Sequence, residues 1–245
     1  MSLAKLLDSS GSTIDPQTLY TDLLLPQSSA SRPYTVVNMV STVDGKILVG
    51  PIGSTATGLG SPTDQMLMRR IQANVDAVVI GAGTLRPGNV VYDPSLYRIV
   101  VSRSGDLPLT NRFFTDAPDN VIILLPGAAS VEQVNDLKKK YRVEQFGSEE
   151  VDLRSAVKWL HTNLEIRKLA VEGGADLNFQ FLNLGLVDEF FLTLSPKIKG
   201  GREMPTTVEG VGFHDWDYLN MELITLYHDH SELYFRYRVL DRQIK

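Results

Sequence analysis

Cysteine is absent from all 245 residues of this chain. That single absence excludes disulfides, thiolate metal sites and a cysteine nucleophile, and it fits a reducing, cytoplasmic setting. No apolar run approaches the roughly 20 residues of a membrane-spanning helix, and the N-terminus lacks a basic-then-apolar leader, so no membrane association is expected. A basic excess is missing as well. The formal net charge of −5 lacks the positive footprint of a nucleic-acid binder. Only four histidines occur. His228 and His230 straddle a turn with no third ligand nearby, while His161 and His214 read as a helix-surface and a loop residue, so no metal site is expected. There is neither a G-x-S-x-G elbow nor a G-x-x-x-x-G-K-[ST] loop, which leaves serine-hydrolase and P-loop chemistry without support.

What is present has the composition of an ordinary soluble globular protein, long enough for a sizeable core. Residues 1–31 are mostly polar, with one apolar patch at Leu19-Tyr20 and Leu23-Leu24-Leu25, and read as an N-terminal extension with a docking turn. From there to residue 245 the pattern is that of one domain. Tyr34–Val40, rich in β-branched residues, predicts a strand. Ser61-Pro62 predicts the capped start of a helix running to about Asn74. Ala77–Ile80, Tyr97–Val101 and Val121–Leu125 read as buried strands, with helices at about 130–140 and 152–163 around a strand at 142–146. Such alternation implies an α/β fold with a mostly parallel sheet flanked by helices. Val187–Leu194, Glu222–Tyr227 and Glu232–Leu240 then follow without intervening helices, predicting a C-terminal antiparallel hairpin turning at His228–Ser231.

Two corners attract attention. Val171-Glu172-Gly173-Gly174 ends a strand just before a helix that starts near Ala175, and Ile80-Gly81-Ala82-Gly83-Thr84 ends another. Glycines there let backbone approach a ligand while the first helical amides point outward unpaired, a phosphate cradle helped by the helix dipole. A tight turn needing glycine for its own sake reads equally well from the pattern alone. Two such corners at the carboxyl ends of parallel strands are where open α/β sheets bind nucleotides. Ser102-Arg103-Ser104, after a third strand, suits a phosphate monoester, although a solvated turn has the same composition. Asp44-Gly45-Lys46 follows the first strand and is either a surface pair or a ligand-facing one.

Taken together, the sequence resembles the pyrimidine reductases of riboflavin biosynthesis, which share a dihydrofolate-reductase-like fold. The motifs carrying the resemblance are Arg32-Pro33-Tyr34, Thr42-Val43-Asp44-Gly45-Lys46, Ala73–Ala77 leading into Gly81–Thr84, Val171–Gly174, Gly185–Glu189 and Ser195–Gly201. The resemblance implies NADPH as cofactor, a phosphoribosylaminopyrimidine as substrate and a homodimer. It implies cofactor contacts from Val40, Thr84, Ser102, Arg103 and Ser104, and from Gly173, Gly174, Ala175, Asp176 and Leu177 around the pyrophosphate. It implies substrate contacts from Asn38, Lys46, Ser61, Asp93, Leu96, Arg98 and Glu172, with Glu172 and Asp44 as the catalytic pair. The reaction implied is hydride transfer to C1′ of the ribosylamino group, giving a ribitylamino product.

The chain departs from the family around the substrate. The family follows its Gly-Thr with D-D-P-x-L-T-x-R, whereas here Leu85–Tyr92 intervene before Asp93-Pro94-Ser95-Leu96, and Arg98 falls near the expected arginine. The cofactor-contacting aspartate has no counterpart; without a gap Gly88 stands there. Gln72 aligns with a second, phosphate-binding arginine, leaving Arg69, Arg70 and Arg86 as candidates to replace it. A reductase of another small heterocycle, such as a pterin, and a non-catalytic NADPH-binding protein are the alternatives this loop leaves open. Whether the substrate is deaminated before reduction is open too.

Overall fold

The computed structural model describes residues 4–8, 18–28, 31–88, 90–213 and 217–240, with backbone alone for the first segment. His214 and most of the residue 1–17 stretch therefore lie outside the described residues. Ten strands form one sheet: β1 (Ala4–Asp8), β2 (Tyr34–Thr42), β3 (Ala77–Gly81), β4 (Tyr97–Val101), β5 (Val121–Leu125), β6 (Arg142–Gln145), β7 (Lys168–Val171), β8 (Glu189–Ser195), β9 (Met221–Asp229) and β10 (Glu232–Val239). Their order is β1-β9-β10-β8-β2-β7-β3-β4-β5-β6. From β8 to β6 every neighbouring pair is parallel, while β10, β9 and β1 run antiparallel beyond β8. The expected architecture is present, with β8 as the seam between its two parts. Edge strand β1 was not legible in the sequence.

Alternation within the strands supplies two cores. Val36, Val78, Val100 and Ile123 face one side, with Leu19, Tyr20, Leu67 and Ile71 packed on them. Val37, Val79, Ile99 and Ile122 face the other. Covering helices are α1 (Pro62–Gln72), α4 (Val131–Lys138), α5 (Leu153–Leu164) and α6 (Ala175–Asn183), with one-turn helices α2 (Ala82–Leu85) and α3 (Arg112–Thr115) between strands. In α5 the buried Leu153, Ala156, Val157 and Leu160 recur at helical spacing, and Asp152 caps the first turn through the amides of Arg154 and Ser155. His161 belongs to that buried face. Its Nδ1 lies 3.1 Å from the Ile166 carbonyl and the residue is 4% exposed, so the helix-surface reading is corrected.

The docking turn is part of the core. Tyr20 packs edge-on against Phe191 at 5.4 Å, and Arg70 donates to the Leu19 carbonyl at 2.8 Å. The seam is tied by charge. Arg32 grips Asp188 with two bonds of 2.7 Å, and Arg236 donates to Glu189 at 2.8 Å and 3.0 Å.

Asp64, in the first turn of α1, is a carboxyl under stress. Burial, with a smaller push from nearby Glu232, raises its pKa from 3.8 to about 6. A carboxylate raised in the folded state binds its proton more tightly there, so stability falls as pH rises between those two values and stays lowered above them. Asp64→Asn should therefore gain roughly 1–2 kcal/mol over the parent above about pH 6, with the difference vanishing toward pH 4. Urea unfolding midpoints measured across this range check it.

Candidate active site

A cleft of about 940 Å³ opens at the carboxyl ends of β2, β3, β4 and β7, where both glycine corners meet. The corners are locked together: the Gly81 amide donates to the Gly173 carbonyl at 2.8 Å, and the Glu172 amide to Val79 at 3.0 Å. Gly173 has φ +80° and faces Met39, whose sulfur would lie 3.3 Å from an added Cβ, so only glycine fits without strain. The Gly173–Gly174 peptide is cis. Gly174 is the N-cap of α6 and no side chain caps that helix. Its leading amides thus open toward the cleft, which Gly174, Ala175, Asp176 and Leu177 line. Thr84 lies across from them, its Oγ1 3.4 Å from where a Gly174 Cβ would stand.

At the inner end stands Glu172. Its carboxylate accepts from Gln72 Nε2 at 2.9 Å and 3.1 Å, from Tyr92 Oη at 2.8 Å, and from Asn38. Burial raises its pKa above the ordinary glutamate value, and the three donors only partly offset that cost. The same burial, with the carboxylate alongside, raises the Tyr92 phenol. A half-buried carboxylate fixed by three side chains, with one face toward a cleft, is an acceptor set in place before any substrate arrives.

A family model for the RibD C-terminal domain matches residues 33–235. The chain belongs to that family. A 2,5-diamino-6-ribosylamino-4(3H)-pyrimidinone 5′-phosphate reductase from Methanothermobacter thermautotrophicus is 32% identical over 225 residues, covering 85% of this chain and 99% of that protein. Another of the same name, from Archaeoglobus fulgidus, is 30% identical over 198 residues, covering 74% and 89%. A pyrimidine reductase-like protein from Corynebacterium diphtheriae superposes with a TM-score of 0.76 over 94% of this chain and all of that one; at 21% identity it speaks for the fold alone.

Within this RibD-type domain the expected residues divide sharply. Asn38, Val40, Thr84, Ser102, Arg103, Glu172 and the stretch Gly173–Leu177 all line the cleft. Ser104 stays outside its walls, its Oγ accepting from the Asp106 amide at 3.2 Å. Several expected substrate ligands are engaged elsewhere. Arg98 is fully buried and donates to the carbonyls of Phe113 at 3.0 Å and Ala117 at 2.6 Å, so it holds the α3 corner instead of meeting a ligand. Leu96 is core. Asp93 turns back onto Ser95, accepting from its amide at 2.9 Å and its hydroxyl at 2.6 Å. Ser61 is the N-cap of α1 and donates a short hydrogen bond to Glu232. Lys46 donates to the Met204 carbonyl at 2.8 Å.

Asp44 does not join Glu172. The Thr42 hydroxyl, then the amides of Lys199 and Gly200, hold its pKa down to about 2, and it stands outside the cleft lining. Its bonds pin the loop after β8 to the turn after β2. Lys197 and Lys199 donate in turn to carbonyls of Gly58 and Val49, fixing the segment that forms the cleft's outer wall. Of the candidate replacement arginines, Arg70 is committed to Leu19, and Arg86 approaches the Asp106 carbonyl at 3.4 Å. Gln72 and Tyr92 are the functional residues the sequence reading passed over. Gln72 was met only as a missing arginine, and Tyr92 only as part of an insertion.

Proposed function

We propose that this chain is a riboflavin-pathway reductase that converts a ribosylamino-pyrimidine 5′-phosphate to its ribitylamino counterpart with NADPH. The 2,5-diamino pyrimidinone named for the archaeal relatives is the favoured substrate. The observation that carries this reading is Glu172, a half-buried carboxylate held by Asn38, Gln72 and Tyr92 immediately before the glycine corner that opens α6. The residues present fit a dinucleotide: a helix N-terminus with no side-chain cap, the Gly173–Gly174 backbone lining the cleft, open space at Gly83, and Thr84 opposite them. When bound, NADPH would supply the hydride that C1′ of the ring-opened imine accepts, a proton from solvent completing the amine nitrogen.

The chain's own contribution is placement. Gly173 and Gly174 let the backbone come close to the pyrophosphate, and the α6 amides meet its charge. Glu172 accepts hydrogen bonds from the substrate's ribosyl hydroxyls and amine, orienting C1′ toward the cofactor end of the cleft. The walls drawn from the 47–60 segment keep water from the reacting atoms. A homodimer and a cytoplasmic setting belong to the same proposal.

Mixing the protein with NADPH and either the diamino or the deaminated phosphoribosyl substrate, and following loss of nicotinamide absorbance, tests it. Oxidation with the diamino substrate, at a higher kcat/KM than with the deaminated one, is expected. No oxidation with either would favour a same-fold reductase of another heterocycle.

A further inference from the structure

The sequence points to Arg103 as the grip on a cofactor 2′-phosphate, and the structure adds something the sequence did not show. Arg103 Nη2 lies 2.7 Å from Glu150 Oε1, a residue 47 positions further along the chain. Both side chains line the outer part of the cleft, beside Ser102 and Val151. Among the described residues lining that cleft, Arg103 is the one cation.

The pair is built to exchange. Its side chains are 77% and 65% exposed, and an ion pair so wet contributes only about 0–1 kcal/mol. A phosphate dianion offers the guanidinium fork two charged acceptors and replaces the carboxylate readily. The displaced carboxylate, however, hangs from an anchored backbone. Its backbone belongs to a tight turn in which Gly127 and Ala128 donate to the Gly147 and Ser148 carbonyls at 2.9 Å and 2.8 Å. Asp152, two residues on, is fixed as the α5 cap. The Glu150 charge therefore remains within one side chain's reach of Arg103 whichever cofactor enters. There it repels a phosphate, yet it can accept from an unphosphorylated 2′-hydroxyl, the usual role of an acid in NAD sites. Ser102 Oγ and Ser104 Oγ accept from the amides of Gly105 and Asp106, which leaves their O–H groups to donate to a phosphate, so Glu150 lowers the preference without reversing it.

We propose that Glu150 is a cofactor-specificity residue: its carboxylate, paired with Arg103, reduces this chain's preference for NADPH over NADH. The inference rests on the nicotinamide-dinucleotide reading above. Calorimetric titration of the intact protein with NADPH and with NADH tests it, comparing the parent with Glu150→Gln, Arg103→Ala and, as a control of net charge, Glu149→Gln. In Glu150→Gln the ratio of NADH to NADPH dissociation constants should rise by up to about five-fold, the size of one exposed charge interaction, and the rise should shrink in high salt. Arg103→Ala should weaken NADPH and spare NADH. An unchanged ratio in Glu150→Gln, or an equal rise in Glu149→Gln, would overturn the proposal and leave the reductase reading intact. Failure of the parent to bind either dinucleotide would overturn both.

Discussion

Glu172→Gln should lower kcat by about 100-fold, the scale of losing orientation at the reacting atoms, while the NADPH dissociation constant stays where it is. The substitution keeps the shape of the side chain but takes away the charge on which Asn38, Gln72 and Tyr92 converge. The glycine corner that would meet the cofactor is backbone and does not depend on that charge. A pH signature accompanies the loss. Because burial raises the Glu172 pKa, the acid limb of kcat/KM in the parent should lie above the ordinary glutamate value of 4.5, with activity falling as pH drops through it. In Glu172→Gln that limb should vanish. The melting temperature at neutral pH should not fall, since a neutral amide avoids the cost of burying an ion. Turnover equal to the parent's would remove Glu172 from the mechanism.

Arg98→Ala should unfold the protein early and leave its chemistry alone. The side chain is fully buried on β4, and its guanidinium bonds carbonyls of Phe113 and Ala117 where α3 ends. Truncation leaves a cavity and orphans those carbonyls, a loss of about 3–5 kcal/mol on the scale of large-to-small core changes. Burial also lowers the arginine's pKa, with the Asp116 charge pulling the other way. Equilibrium unfolding in urea reads the stability loss. Steady-state kinetics on the folded fraction should return a KM for the phosphoribosyl substrate unchanged from the parent. A KM raised ten-fold or more, with stability intact, would restore the ligand role that the motif alignment assigned to Arg98; about 1.4 kcal/mol of binding would then be at stake.

How much of this was legible in the sequence depends on distance along the chain. The glycine corners were, because a buried strand, an acid, two glycines and a helix are consecutive. The cofactor-side residues that the family resemblance implied fall together on the cleft walls, Ser104 excepted. The environment of Glu172 was not legible, since Gln72 and Tyr92 come from 100 and 80 residues away. Arg98 carried a usable signal that motif alignment overrode: a polar residue inside an otherwise apolar central strand must be buried on one face or the other. Ser61 served as both cap and ligand in the sequence reading, and the local role won, because the Thr63 and Asp64 amides need its oxygen. The motifs most useful for recognising the family, Arg32 and Asp188-Glu189, bind each other or Arg236 and hold the β2–β8–β10 seam. They identify the fold while lying outside the chemistry.

The central claim is that the cleft places a dinucleotide's hydride donor against C1′ of a substrate oriented by Glu172. Incubating the protein with NADPH deuterated at the transferring C4 position and the 2,5-diamino substrate, then reading the product by NMR, tests it most directly. Deuterium at C1′ of a ribitylamino product, formed about 100-fold more slowly by Glu172→Gln, is the predicted result. Oxidation of the cofactor with no deuterium at C1′, or no oxidation by a protein that binds NADPH, would contradict it.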